Sequence, residues 1–225
     1  MKKQRKSRTK PNDPGKLLLA VLAQVPFDGW TMTALEHGAK RAGLEKGHVQ
    51  LAWPHGVRDA VAEFSVWADR RMLDAVAQDR LYVGRRTRDK VAHAAWARFE
   101  TLRPHSEAMQ KLCSWALLPY HAPYALQHLY ATCDAVWRAA GDVSTDFNFY
   151  TKRGLLAYVL KTTTLFWLSD SSEGKGASRQ FLDRRIEEVL RLGKAVNQLK
   201  DLPEHFGKLG TLADIAGFFR RRANS

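Results

Sequence analysis

Apolar residues recur every three or four positions along most of this chain, and no run alternates with a period of two. That spacing collects apolar side chains on one face of a helix, whereas a half-buried strand needs strict alternation. Leucine, alanine and arginine dominate, and isoleucine occurs only at Ile186 and Ile215. With 225 residues, the chain is long enough to bury a sizeable core. The sequence therefore predicts an all-α protein.

Prolines, glycines and capping residues divide this pattern into about ten helices. Pro14 stands at the first position of the first helix, Thr31 caps the second, and Gly43 lies in a tight turn before the third. The expected helices are 14–24, 31–41, 45–52, 57–77, 85–102, 105–118, 122–140, one that ends near 169, 181–200 and 211–222, and 170–177 is expected to be a loop. The first three helices match the pattern of a helix-turn-helix unit.

The formal net charge is +13, and six of the 36 lysines and arginines lie in residues 1–10. The rest of the chain has 30 basic and 23 acidic residues, so it is moderately basic as well. This balance favours a polyanionic partner, either nucleic acid or the headgroups of anionic lipids. Charge alone does not separate these two partners.

The sequence lacks the common catalytic motifs, including glycine-rich nucleotide loops, Gly-x-Ser-x-Gly and His-Glu-x-x-His. Its eight histidines do not have the spacing of metal ligands. Cys113 and Cys133 are expected to be buried free thiols in a reducing compartment. The apolar run at 17–23 is too short for a secretion signal, and no run is long enough to span a membrane. We therefore expect a cytoplasmic protein without catalytic activity, cofactor or metal.

Residues 211–222 form a separate amphipathic segment, which a stretch containing Pro203, Gly207 and Gly210 divides from the helices before it. The segment combines apolar residues with a cationic cluster: Leu212, Ile215, Phe218, Phe219, Arg220, Arg221 and Arg222. Such a helix suits the interface of an anionic membrane, and the alternative is a last helix packed on its own domain. The intervening stretch favours the membrane-binding interpretation.

Residues 141–153 (Gly-Asp-Val-Ser-Thr-Asp-Phe-Asn-Phe-Tyr-Thr-Lys-Arg) hold the most distinctive local pattern. Gly141 is expected to end one helix in a left-handed conformation. Asp142, Ser144 and the two residues after it are expected to accept backbone N–H groups at the start of the next helix. Three rings follow within four residues, and a helix cannot hold them on one narrow stripe: Phe147, Phe149 and Tyr150. At least one ring is expected on the surface, where it would form a docking site, and the alternative is a well-capped core helix.

The central helices carry many bulky apolar residues, which usually form a core but can also surround an apolar ligand between helices. The candidates for contact with such a ligand are Leu112, Trp115, Leu118, Tyr130, Cys133, Trp137 and Tyr158.

Residues 139–153, with Asp170-Ser171-Ser172 and residues 181–185 (Phe-Leu-Asp-Arg-Arg), resemble the signature of the lipid-binding accessory proteins of ubiquinone (coenzyme Q) biosynthesis. The proline-bracketed turn at 118–123 and residues 25–31 are similar to that family as well, and the resemblance covers about residues 14–200.

The resemblance implies a TetR-repressor-like fold, in which a helix-turn-helix unit precedes a helical body that dimerises. It implies a protein that binds isoprenoid quinones or phospholipids and assists the di-iron hydroxylase of demethoxyubiquinone without being a catalyst. The implied partner-binding surface is that of Asp134, Asp146, Phe149, Tyr150 and Arg153. A C-terminal membrane-binding helix is also implied. Because the sequence shows no longer targeting segment, we expect a bacterial protein at the periphery of the inner membrane.

Four regions follow from these features. We expect a disordered basic arm at 1–13, a degenerate helix-turn-helix unit at 14–56, a lipid-binding and dimerisation body at 57–202, and a tether with an amphipathic helix at 203–225.

The alternative function is that of a TetR-type DNA-binding regulator with an apolar ligand, because residues 43–54 resemble a repressor's recognition helix. Gln50 stands where those repressors usually place a tyrosine that contacts phosphate, and Gly56 lies near their usual lysine. Phosphate contacts supply much of the affinity for DNA, so these differences argue against operator binding.

Overall fold

A computed structural model describes residues 14–144 and 147–200, and the predicted arm at 1–13 and the predicted segment at 203–225 lie outside these residues. The described part is all-helical, with ten α-helices: α1 (Pro14–Leu22), α2 (Val25–Asp28), α3 (Met32–Arg41), α4 (Lys46–Ala52), α5 (Val57–Gln78), α6 (Thr87–Leu102), α7 (Ser106–Ala116), α8 (Ala122–Ala139), α9 (Phe147–Ser169) and α10 (Gly176–Lys200). Short 3-10 helices at Arg103–His105 and Glu173–Lys175 precede α7 and α10. Within this part of the chain, no helix has the length and apolar character needed to cross a bilayer.

The predicted helix-turn-helix pattern corresponds to α1, α3 and α4. The Thr31 side chain caps α3 by accepting the N–H of Ala34 at 3.2 Å. Gly43, at φ 73°, turns the chain toward α4 in the left-handed conformation that glycine tolerates best. At Gly38 the helices α1 and α3 touch, since a Cβ there would lie 2.6 Å from the Cα of Val21.

The predicted helices leave residues 25–30 between 14–24 and 31–41, but Val25–Asp28 form the short helix α2. Pro26 stands in the first turn of this four-residue helix, where a missing N–H removes no helical hydrogen bond. Next to α2, the indole N–H of Trp30 donates to the carbonyl of Ala108 at 3.0 Å. This bond ties the N-terminal helices to α7.

Helices α5 to α10 form the body, and their directions follow from a few contacts. Arg58 and Asp69 of α5 bond to Tyr124 and Thr132 of α8, so these two helices run parallel. Asp69 also pairs with Arg98 of α6 at 2.6 Å, and α6 returns antiparallel to α5. A shared apolar core connects the body to the N-terminal helices.

The start of α10 differs from the prediction, because it lies at Gly176 and not at 181, so the predicted loop at 170–177 is shorter than expected. The Asp170 carboxylate accepts the backbone N–H groups of Ser172 and Ser178 at 2.8 Å each. The Ser172 hydroxyl accepts the N–H of Ala177 at 3.0 Å. These two side chains satisfy N–H groups that the first turn of a helix leaves open, which is why α10 starts early.

Candidate functional site

The turn after α8 is a Schellman motif built on Gly141, which has φ 88°. The N–H of Gly141 donates to the carbonyl of Arg138 at 2.9 Å, and that of Asp142 donates to the carbonyl of Trp137 at 3.0 Å. The predicted helix end at Gly141 is therefore confirmed. The motif turns the chain so that the carboxylate of Asp142 reaches the first turns of α9.

Arg153 of α9 is the centre of the site, and its side chain is only 1% exposed. Its Nε donates to Asp134 of α8 at 2.7 Å, and Nη1 donates to Asp142 at 3.1 Å. Nη1 also donates to the carbonyl of Phe149 at 3.1 Å, while the guanidinium lies 3.5 Å from the centre of the Phe149 ring. One buried cation thus fixes α8, the turn and the first turns of α9 relative to each other.

Asp142 and Ser144 were expected to accept backbone N–H groups, and in the described residues both have side-chain partners. Lys152 Nζ donates to Asp142 at 2.7 Å and to the Ser144 hydroxyl at 2.8 Å, and that hydroxyl donates to Asp142 at 2.7 Å. Burial alone would raise the pKa of Asp142. The hydrogen bonds from Lys152, Ser144 and Arg153 outweigh burial and lower the pKa to about 2, so the carboxylate is charged at neutral pH.

The surface above this network is aromatic. Tyr150 is 65% exposed, and its ring meets the half-buried Phe149 edge-on at a centroid distance of 5.1 Å. Asp134 is partly exposed and also pairs with Arg138, whose side chain is 70% exposed, at 2.7 Å. We call the surface of Asp134, Phe149 and Tyr150 the α8–α9 surface.

Of the five residues predicted to bind a partner, the structure brings these three together on the α8–α9 surface. Arg153 requires a correction, because its guanidinium lies inside the protein and positions its neighbours instead of facing solvent. Asp146 lies outside the described residues.

The seven residues predicted to contact lipid do not share one environment. Cys133 and Trp137 lie in the core on the inward face of α8, and the indole N–H of Trp137 donates to the carbonyl of Lys152 at 3.1 Å. Trp115 is buried at the end of α7, where it stacks on His121 with centroids 3.6 Å apart. The remaining four range from half-buried to exposed: Leu112 and Tyr130 are half-buried, and Leu118 and Tyr158 are exposed.

Two of these residues have chemical features that matter for an apolar ligand. The Tyr130 hydroxyl is buried and makes no hydrogen bond within the described part of the chain. Burial raises its pKa, so the hydroxyl stays protonated. Burial also raises the pKa of the Cys133 thiol to about 12, which keeps it neutral and unreactive.

A groove of about 620 Å³ between α5 and α6 was not predicted. It is lined by Ala75, Gln78, Asp79, His93, Trp96, Ala97, Glu100 and Thr101, none of which is a predicted lipid contact. Burial and the charge of Arg85 lower the pKa of His93, against the opposing effect of Asp79. The lining is scattered over two amphipathic helices, so the sequence has no local signal for it.

The predicted membrane-binding residues lie outside the described residues: Leu212, Ile215, Phe218, Phe219, Arg220, Arg221 and Arg222. The membrane-binding interpretation of this segment therefore stays a prediction.

Comparison with known proteins gives two kinds of similarity, one in sequence and one in fold. A model of the COQ9 family matches residues 122–193, which contain α8, α9, the turn between them and most of α10. The chain is 30% identical over 218 residues to the mitochondrial ubiquinone biosynthesis protein COQ9 of Homo sapiens, covering 92% of this chain and 68% of that protein. The COQ9 protein of Rattus norvegicus is 31% identical over the same length, with 92% and 70% covered.

The similarity in fold is to a solved TetR transcriptional regulator from Nitrosomonas europaea, with a TM-score of 0.63. It covers 79% of this chain and 97% of the regulator at 17% sequence identity. At 17% identity the similarity concerns the fold alone. It establishes the TetR-like fold and confirms the predicted fold class.

Proposed function

Because this chain belongs to the COQ9 family and has a role in ubiquinone biosynthesis, we propose that it acts there as a lipid-binding accessory protein. It takes isoprenoid quinone intermediates from the membrane and presents them to the di-iron hydroxylase that acts on demethoxyubiquinone. It carries out no chemistry on the lipid. The proposal makes the α8–α9 surface the contact with the hydroxylase and the inward face of α8 part of the lipid site.

The physical need for such a protein is the cost of moving an isoprenoid into water. Each five-carbon unit costs about 4 kcal/mol to expose, at about 0.8 kcal/mol per carbon. A tail of several units therefore does not leave the bilayer unaided at a useful rate. A protein that covers the head group and the first units while the rest stays in lipid lowers this barrier.

The observation that carries the partner-binding proposal is the burial of Arg153 beneath Phe149. A guanidinium 3.5 Å from the ring centre, held by Asp134 and Asp142, fixes this ring before any partner arrives. Fixing an aromatic side chain in advance lowers the entropy that binding must remove. Beside it, the exposed Tyr150 has the large apolar area and polar tip that make tyrosine a frequent hot spot.

The lipid-binding proposal is supported by the chemistry of the inward face of α8. Cys133 and Trp137 are buried, and the Cys133 thiol is neutral, so this face is suited to an apolar ligand. The buried Tyr130 hydroxyl would donate a hydrogen bond to a quinone oxygen. Leu118 and Tyr158 are exposed, and in this proposal they mark where the tail would pass toward the bilayer.

In this proposal, residues 211–222 hold the protein against an anionic membrane through the phenylalanines and the three terminal arginines of that segment. The protein would thus lie at the periphery of the membrane that contains the quinone. Removing residues 211–225 should weaken co-sedimentation with vesicles that contain phosphatidylglycerol, and unchanged co-sedimentation would contradict this part of the proposal.

Capture of the hydroxylase tests the partner-binding proposal. The variant Tyr150→Ala should weaken capture at least thirtyfold, which is about 2 kcal/mol for the loss of a hot-spot tyrosine. The matched control is Tyr120→Ala, because Tyr120 is 60% exposed but lies in the turn between α7 and α8. Equal affinity of the two variants for the hydroxylase would contradict the assignment of the α8–α9 surface.

A further inference from the structure

The loop of residues 79–86, between α5 and α6, presents two large apolar side chains to solvent. Leu81 is 74% exposed and Val83 is 80% exposed, whereas Tyr82 between them is buried. Alternate side chains therefore point outward, inward and outward. We call these residues the α5–α6 loop.

The loop is held in this shape by hydrogen bonds at both ends. Asp79 accepts the backbone N–H of Leu81 at 2.9 Å and a guanidinium N–H of Arg85 at 2.7 Å. The Tyr82 hydroxyl donates to the carbonyl of Lys90 at 3.2 Å, which fixes the centre of the loop to α6. The constrained backbone thus keeps Leu81 and Val83 exposed. Inserting these side chains into a binding partner would require little further ordering of the loop.

His93 adds a third support to the base of the loop. Arg85 Nη1 donates to its Nδ1 at 3.0 Å, and its Nε2 lies 3.2 Å from the same Asp79 carboxylate. The Asp79 charge is thereby engaged by two partners inside the base of the loop. It does not oppose an anionic surface at the tip.

The charge around the tip is positive. Residues 79–90 contain five basic and two acidic residues, and Arg80 and Arg86 are exposed on either side of the apolar pair. Exposed apolar residues flanked by arginines match the interface of an anionic bilayer, where the apolar groups enter the acyl boundary and the cations remain among the headgroups.

The position of the loop in the fold points to the same partner. Arg88 of α6 lies 3.6 Å from Glu187 of α10, and Arg179 of α10 lies over Trp96 of α6. Helix α10 is therefore antiparallel to α6, and its C-terminal half lies at the end of the body where the α5–α6 loop is found. Helix α10 ends at Lys200 on this side of the body.

We propose that the α5–α6 loop is a second contact with the anionic membrane, which inserts Leu81 and Val83 into the interface while Arg80 and Arg86 bind lipid phosphates. With the terminal segment it makes two points of attachment, which orient the body on the bilayer. The proposed orientation rests on the proposed membrane location, but the loop itself binds without the terminal segment.

Binding of the full chain to vesicles tests this inference. The double variant Leu81→Ser with Val83→Ser should weaken partitioning onto vesicles of phosphatidylcholine and phosphatidylglycerol by about tenfold, or about 1.4 kcal/mol. The matched control is Leu51→Ser with Val66→Ser, which removes an exposed leucine and an exposed valine from α4 and α5. If the loop variant weakens binding no more than the control variant does, the inference is overturned.

A probe in the loop tests insertion directly. In a Cys113→Ser background, a bimane label on Val83→Cys should be quenched by brominated acyl chains in the vesicles. The same label on Leu51→Cys should not be quenched. An unquenched label at position 83 in bound protein overturns the inference.

Removal of residues 211–225 distinguishes this inference from the proposed terminal contact. Residual binding of the shortened chain that the loop variant abolishes supports the loop contact. If the loop variant leaves the binding of both the full and the shortened chain unchanged, the loop contact is wrong whatever the terminal segment does. If only the loop variant weakens binding and the deletion has no effect, the terminal contact fails and the loop contact stands.

Discussion

Replacing Arg153 by methionine tests whether the buried guanidinium holds the α8–α9 surface together. Removing one partner of a buried ion pair costs about 3–5 kcal/mol, because the remaining charge loses its compensation. Here Asp142 keeps Lys152 at 2.7 Å, and Asp134 keeps Arg138 at 2.7 Å. These remaining partners place the expected loss of unfolding free energy for Arg153→Met at the lower end, about 3 kcal/mol.

Urea unfolding followed by far-UV circular dichroism measures this loss from the midpoint and slope of the transition. For a chain of this size, about 3 kcal/mol corresponds to a Tm lower by roughly 6–12 °C. The variant should also lose affinity for the hydroxylase, since the guanidinium then no longer holds the Phe149 ring.

Arg138→Met is the matched control, because Arg138 binds the same Asp134 carboxylate at the same distance of 2.7 Å but is 70% exposed. An exposed pair contributes no more than about 1 kcal/mol, so this variant should change little. Equal losses for the two arginine variants would refute the reasoning. The reasoning would also be refuted if Asp142→Asn did not reduce the loss of unfolding free energy caused by Arg153→Met in the double variant, because neutralising Asp142 removes the uncompensated charge.

Three further predictions concern individual positions. Gly38→Ala should destabilise the protein by about 1–3 kcal/mol in urea unfolding, because its Cβ would meet the Val21 backbone at 2.6 Å, and unchanged stability would contradict this packing. The pKa of Asp142 is about 2 in the folded state, below its ordinary value of 3.8. The charged Asp142 therefore stabilises the fold above about pH 4, and this stabilisation is lost as the pH falls toward 2. In acid unfolding, Asp142→Asn should lack this part of the pH dependence. Cys133 should resist alkylation of the native protein, whereas half-buried Cys113 should react slowly, and mass spectrometry that found Cys133 modified first would refute its burial.

Most helix bounds in the described chain were predictable because local residues fix them. Gly141 and Thr31 act within their own turns, and a residue's capping role is visible in the sequence around it. The start of α10 was missed because Asp170 caps it from several residues upstream, across a 3-10 turn. That distance exceeds the spacing that capping rules use.

The candidate site was predictable in its location but not in its arrangement. The rings and charges of residues 141–153 indicated a surface, and Tyr150 is indeed exposed. The burial of Arg153 depends on Asp134 from α8 and Asp142 from the turn meeting at one point. No spacing rule within one helix describes that convergence, so an arginine near exposed rings was placed on the surface as well.

The most direct test of lipid binding as the role of this protein is extraction of the full chain purified without detergent, followed by mass spectrometry of the lipids that remain bound. The account predicts an isoprenoid quinone or its biosynthetic precursor, bound in near-stoichiometric amount and reduced by a substitution at Tyr130 or Trp137. Purified protein that carries no isoprenoid lipid above the level of an unrelated control protein would contradict the account.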